Sequence, residues 1–267
     1  MSKILNGQEL ADTIKSDLAQ KIFALEKKPG LAAILVGNNE ASATYIKLKE
    51  KACHEVGINF HKYLCPEIID GEKLAELIQF LNKDDEVDGI LLQLPLPDGY
   101  ETQKTIDLIS PHKDVDGFFS SGEEDKVIPP TISAIMELLK ATNEDLKGKK
   151  TLVIAKCDIY TDKMEKYLSN LGITNIKTSS NIPEDSANYD IIIIALGQAK
   201  SLKKAMVKTS AIIIDVGINK IDGQVVGDVD ENVLEVASFI SPVPGGVGPL
   251  TVACLLRNTL EINLKRN

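Results

Sequence analysis

The sequence predicts an α/β protein of two domains, an N-terminal α/β catalytic domain and a C-terminal Rossmann-type domain with a cleft between them. Three observations predict it. Short apolar runs, LAAILV (31–36), GILLQL (89–94), IIIIAL (191–196) and AIIIDV (211–216), alternate with stretches of helical spacing, the pattern of parallel strands covered by helices. The alternation breaks after Pro95 and Pro97 and starts again at 151. A length of 267 residues accommodates two domains of ordinary size.

In chain order, residues 7–26 have helical spacing and 31–36 read as a strand. A helix over 41–57 stops at Gly57, and a strand near 59–64, a helix at 72–82 and a strand at 89–94 follow. The stretch 95–130 is turn-rich, with PHKDVDGFFSSGEED (111–125) its least regular part. A helix from about 131 to 142 leads into the polar linker 143–150. The second alternation has strand 151–155, helix 162–171, a short strand near 174–178 and strands 191–196 and 211–216, a second parallel sheet. The last helix, about 250–263, is placed against the first half. The domains are therefore drawn as 1–142 plus 250–267, and 143–249.

A net charge of −9 and a 26% share of charged residues argue against nucleic acid or an anionic membrane as partner. MSKILNGQEL lacks the apolar run of a signal peptide, and no stretch reaches the ~18 apolar residues of a membrane span. A cytoplasmic location is expected. Cys53, Cys65, Cys157 and Cys254 lie far apart and form no CxxC pair, and the three histidines give no zinc spacing. Free thiols and no metal site are expected.

Several short patterns carry chemistry. In ASATYIKLKEKA (41–52), Tyr45 and Lys49 are four apart and share one helix face. A phenol beside an amine can orient it or lower its pKa for proton transfer; a tyrosine covering an apolar seam beside a solvated lysine is the structural alternative. Tyr-x-x-x-Lys is similar to short-chain dehydrogenases, but residues 1–40 lack the glycine-rich turn that should precede it. Gln93 ends a buried strand, where open sheets place ligands, or it caps that strand end. In KDVDGF (113–118), Asp114 and Asp116 precede Gly117: a carboxylate here can accept two N–H groups from a ring, or close an Asx-turn. SPVPGGVGPLT (241–251) puts three glycines before the last helix, suited to close backbone approach by a ligand or to a tight connector. IDVGIN (214–219) ends a strand with Gly217 and Asn219.

Taken in order, VGNNEASATYIKLKEKACHEVGI, DGILLQLPLP, PHKDVDGF, IDVGIN with GDVD (227–230), and PVPGGVGPLTVA closely resemble the bifunctional methylenetetrahydrofolate dehydrogenase/cyclohydrolases. The resemblance runs nearly end to end. It implies oxidation of 5,10-methylenetetrahydrofolate with a nicotinamide cofactor, NADP or else NAD, and hydrolysis of the methenyl product to 10-formyltetrahydrofolate. It further implies Lys49 as acid/base group, Tyr45 orienting it or packing near the folate, Gln93 bonded to Lys49, and Asp116 on the pterin edge. Gly246, Val247 and Pro249 would shape the folate and nicotinamide cleft. Lys156, Cys157, Gly197, Gly217, Ile218 and Asn219 would meet the cofactor, and a homodimer through the second domain is implied as well.

Three stretches depart from the family. Where the family carries Gly-Arg-Ser and Val-Gly-x-Pro, this chain has Ala155-Lys156-Cys157 and Tyr160-Thr161-Asp162-Lys163. Cys-His-Ser is replaced by residues such as Ile176–Ser180, and Pro-Cys-Thr-Pro by Ile128-Pro129-Pro130-Thr131-Ile132. Lysine is a poorer fork for a 2′-phosphate than arginine. Losing charge-assisted contacts at ~1.5–3 kcal/mol each weakens cofactor binding by orders of magnitude. The polar groups of the folate half are intact, so an enzyme confined to hydrolysis and a non-catalytic folate-binding scaffold stand as the alternatives.

Overall fold

The computed structural model describes residues 3–119, 127–156 and 158–266, and the side chains at 158–160 and 162 lie outside that description. The chain opens with β1 (Lys3–Ile4), α1 (Gly7–Phe23), β2 (Gly30–Val36), α2 (Glu40–Val56), β3 (Asn59–Cys65), α3 (Gly71–Lys83) and β4 (Gly89–Leu92). Then come α4 (Thr102–Ile106) and α5 (Pro130–Ala141). The remainder holds β5 (Lys150–Ala155), α6 (Asp158–Ser169), β6 (Asn175–Ser179), β7 (Ile191–Ala195), β8 (Ile212–Asp215), β9 (Asn219–Ile221), β10 (Gln224–Val226), β11 (Phe239–Ile240) and α7 (Val247–Arg266). The chain divides into two compact units: Asp12–Pro130 with Val252–Asn267, and Met1–Ala11 with Thr131–Thr251.

The first unit is built on a parallel three-stranded sheet, β3-β2-β4. Every residue of β2 is buried, because both faces of this central strand are covered, and so it reads as an unbroken apolar run. Side chains alternate across a strand. Leu31, Ala33 and Leu35 pack with Leu18 and Ile22 of α1, Ile46 and Cys53 of α2, and Leu255, Leu256 and Leu260 of α7. Ala32, Ile34 and Val36 face the other way, onto Leu74, Ile78 and Leu81 of α3. At the far end of α7, buried Asp88 accepts from Gly30 N (2.9 Å), Asn263 Nδ2 (3.0 Å) and Arg266 Nη1 (2.9 Å).

The second unit is a parallel six-stranded sheet in the order β1-β11-β8-β7-β5-β6. From β5 the chain runs outward to β6, then returns to β7 on the opposite side of β5. Strand order therefore reverses between β5 and β7, the position where open α/β sheets form a ligand crevice at their carboxyl ends. Ala155 and Ala195 are paired at that end.

Several elements differ from the sequence reading. Helix α6 begins at Asp158, a turn earlier than 162, because no glycine or proline interrupts the chain after β5. Helix α7 runs 247–266 rather than 250–263: Pro249 sits in its first turn, where a missing N–H costs no intrahelical bond. Helix α4 lies within the stretch read as turn only, of which 120–126 are outside the described residues. The β9–β10 hairpin was not anticipated, although its turn, Asp222-Gly223 with both φ values positive (50° and 80°), carries an Asp-Gly hairpin signal. The sequence places residues 1–11 with the first half, whereas Lys3–Ile4 pairs with Phe239–Ile240 at the edge of the six-stranded sheet.

Candidate active site

Helix α2 is fixed at both ends by its own sequence. Asn39 caps the start by accepting from Ser42 N (3.0 Å), and Gly57, at φ 87°, closes the end with its N–H on Cys53 O. Tyr45, Lys49 and Cys53 follow at four-residue spacing on one face. Lys49 Nζ donates to Gln93 Oε1 at 2.9 Å. Gln93 stands just beyond β4, its N–H on Ile34 O (2.9 Å) and its Nε2 on Leu94 O (2.7 Å). The amide is thus held with oxygen toward the lysine.

Asp116 joins this group through its charge. Burial lowers the Lys49 ammonium from its ordinary value, while Asp116 and Cys53 act in the opposite sense. Burial pushes Asp116 up to about 7, with Lys49 pulling it down and Asp114 pushing it further up. The residues are partly exposed, but their charged ends are crowded, and each favours the other's ionised form. Burial also raises the Tyr45 phenol and pushes the Cys53 thiol up to about 12, so Cys53 stays a thiol at neutral pH.

The two open readings of the KDVDGF turn fall on different residues. Asp114 closes the turn, its Oδ1 accepting from Asp116 N (3.0 Å) and Gly117 N (2.9 Å) and its Oδ2 from Phe119 N (2.9 Å). Asp116 takes no hydrogen bond to its carboxylate among the described residues. Gly117 turns at φ 66°, where an added Cβ would stand 2.9 Å from Val127 O. Asn258 of α7 fastens the turn from behind, its Nδ2 on Val115 O and Ile128 O, both at 2.9 Å. Nothing in the local sequence pattern pointed to Asn258.

The residues assigned to a cofactor gather at the carboxyl edge of the six-stranded sheet, on the strand ends around its reversal point. Lys156 is exposed directly after β5, and Gly197 follows β7. Gly197 has φ 64°, and a Cβ there would meet nothing within 4 Å, so the backbone is open to close approach. Gly217 and Ile218 follow β8 and Asn219 opens β9; Gly217 is buried and Ile218 exposed. A Cβ at Gly217 would run into the Asp228 carboxylate. Cys157 lies outside the described residues. An open glycine backbone at the reversal point, with Lys156 following the neighbouring strand, suits close approach by a dinucleotide.

Two buried carboxylates organise this edge, Asp215 of the IDVGIN pattern and Asp228 of the GDVD pattern, to neither of which the sequence alone assigns a role. Asp228 accepts from Leu196 N (2.6 Å), Gly197 N (3.0 Å), Gln198 N (2.7 Å) and Asn219 Nδ2 (2.9 Å). Asp215 accepts from Gly217 N (2.9 Å), Asp228 N (3.1 Å) and Val229 N (3.0 Å). Burial pushes Asp215 up to about 6 despite those donors. Gly246, Val247 and Pro249 belong to the same unit, where Gly245 O accepts from Gln8 N at 3.0 Å. No group of three or more metal-ligating side chains occurs among the described residues.

Comparison with known proteins matches two family models along the chain. Residues 5–116 match the tetrahydrofolate dehydrogenase/cyclohydrolase catalytic domain, and residues 129–267 its NAD(P)-binding domain. The bifunctional protein FolD of Sulfurihydrogenibium sp. is 44% identical, covering 97% of this chain and 96% of that protein. The bifunctional FolD methylenetetrahydrofolate dehydrogenase/cyclohydrolase of Campylobacter jejuni superimposes with a TM-score of 0.93 at 40% identity, covering all of both chains. The Trypanosoma brucei enzyme, solved with NADP and an inhibitor, gives a TM-score of 0.92 at 30% identity, over 99% of this chain and 98% of that one. The chain belongs to the tetrahydrofolate dehydrogenase/cyclohydrolase family.

Proposed function

We propose that this chain oxidises 5,10-methylenetetrahydrofolate to the 5,10-methenyl form with NADP and hydrolyses that product to 10-formyltetrahydrofolate. The observation that carries the proposal is the Lys49–Gln93 hydrogen bond of 2.9 Å, with Asp116 close enough that it and Lys49 perturb each other's charge. A lysine whose ammonium is destabilised by burial supplies neutral amine nearer to neutral pH than a surface lysine does. In hydrolysis that amine takes a proton from the water attacking the one-carbon bridge and returns one to the departing ring nitrogen. Gln93 holds the amine in place through its oxygen, Tyr45 orients it from one turn away, and Asp116 accepts the pterin N–H donors. NADP, when bound, accepts the hydride; Lys156, Gly197, Gly217, Ile218 and Asn219 would hold it, and Gly246, Val247 and Pro249 would shape the cleft beside it.

Loss of absorbance from methenyltetrahydrofolate tests the hydrolysis, and reduction of NADP tests the oxidation. Lys49→Ala is expected to lower both rates by at least a hundredfold. Full hydrolysis in that variant would remove Lys49 from the mechanism.

A second reading, hydrolysis without oxidation, is supported by one observation. The stretch from Ala155 to Thr161, which runs from the end of β5 into α6, contains no glycine to bring backbone close to a phosphate. Titration with NADP and NAD separately decides between the two. The same proposal makes the protein a cytoplasmic homodimer whose product feeds purine biosynthesis. Cys53, Cys65 and Cys254, buried and outside any disulfide, suit a reducing compartment. Strand β6 ends the sheet order, an edge that a second copy can cover.

A further inference from the structure

The carboxylate of Asp228 is fully buried, and its four hydrogen bonds draw two separate strand ends onto one point. Three come from consecutive backbone N–H groups, Leu196 to Gln198, immediately after β7. The fourth comes from Asn219 Nδ2, beyond β8. An ionised carboxylate only accepts, so the Asn219 amide must turn its nitrogen inward. Val226 O, 3.4 Å from the same nitrogen, enforces the same orientation. Asn219 Oδ1 has no partner among the described residues, and the side chain is half-buried.

From this geometry we infer that Asp228 is a positioning residue, which fixes Asn219 Oδ1 as a hydrogen-bond acceptor for an O–H or N–H group of the dinucleotide. This rests on the dinucleotide reading above. The acceptor is one-sided: Asn219 can receive a ribose hydroxyl or a carboxamide N–H, and it rejects a carboxylate or phosphate oxygen in that place. Gly217 is part of the device, because a side chain there would displace Asp228. Gly197 presents its open backbone to the ligand while its N–H is committed to Asp228, away from it.

The test uses the full-length protein and direct binding of NADP by calorimetry. Asn219→Ala is expected to weaken NADP about tenfold, the worth of one net hydrogen bond. Unchanged affinity overturns the inference. Adenosine diphosphoribose carrying the 2′-phosphate, which lacks nicotinamide, separates the donors: a loss that persists with it identifies a ribose hydroxyl, and a loss confined to NADP identifies the carboxamide. Asp228→Asn places an amide donor against backbone donors. It should lower affinity at least as much as Asn219→Ala and speed hydrogen exchange at the amides of 196–198. Slow exchange with parental affinity overturns the positioning role, and if that variant does not fold, Asn219→Ala alone decides. Parent protein that hydrolyses methenyltetrahydrofolate but binds no dinucleotide refutes this inference and leaves the folate reading standing. Parent that binds NADP without hydrolysis refutes the folate reading instead.

Discussion

Asp114 and Asp116 are two residues apart in one turn, yet they face different demands. Asp114 spends its carboxylate on three backbone N–H groups, while Asp116, the residue proposed to meet the pterin, has its pKa raised to about 7 by burial. Above that value Asp116 is the carboxylate that can accept N–H donors; below it the group carries a proton and one acceptor is lost. For the free enzyme, kcat/KM for the folate is therefore expected to fall on the acid side of about pH 7. Asp116→Asn should give a low value without that limb, and a pH–rate profile of the two proteins checks it. The residue types of this site were legible: Tyr45 and Lys49 share a helix face by spacing alone, and Gln93 ends an apolar run. The hydrogen bond that joins Lys49 to Gln93 spans 44 residues and belongs to sheet packing, which local pattern does not report. The division of labour between Asp114 and Asp116 was equally hidden, because it depends on where the backbone donors of 116–119 point.

Among the elements, those with a long period were readable and those held by pairing alone were not. Strand β2 announced itself because both of its faces are covered. Strands β1 and β11, two residues each, are too short to show a period and exist through hydrogen bonds to their neighbours. The β9–β10 hairpin did carry a signal in Asp222-Gly223, and Asn219 at its start gains its orientation from the fold around it. The DVDGF turn depends on helix α7 in a way that can be measured. Asn258→Ala leaves Val115 O and Ile128 O without their donor, and burying unmet polar groups costs about 1–3 kcal/mol each. A loss of about 2 kcal/mol in urea unfolding is expected, accompanied by a higher KM for folate. A KM change without a stability change would show that Asn258 acts on the ligand directly.

At the scale of the whole molecule, each unit is assembled from two separate stretches of chain. The unit carrying Lys49 is completed by α7 from Val252 onward, whose Leu255, Leu256, Leu260 and Ile262 are buried in its core. At about 1.5–3 kcal/mol for each such side chain, their sum rivals the 5–15 kcal/mol that typically stabilises a domain. Truncation after Thr251 is therefore expected to unfold the first unit and abolish hydrolysis, as read by circular dichroism and methenyltetrahydrofolate decay. Survival of activity would mean that the sheet β3-β2-β4 holds without α7.

That arrangement also sets an order of events at the ribosome. Translation delivers Tyr45, Lys49, Gln93 and Asp116 early, but the helix that closes their core follows every other stretch of both units. The six-stranded unit needs only residues up to Thr251, so it is complete while those four residues still wait for the helix that finishes their unit. Domains ordinarily mature from the N-terminus onward; here the enclosed stretch of the chain is finished before the stretch that encloses it.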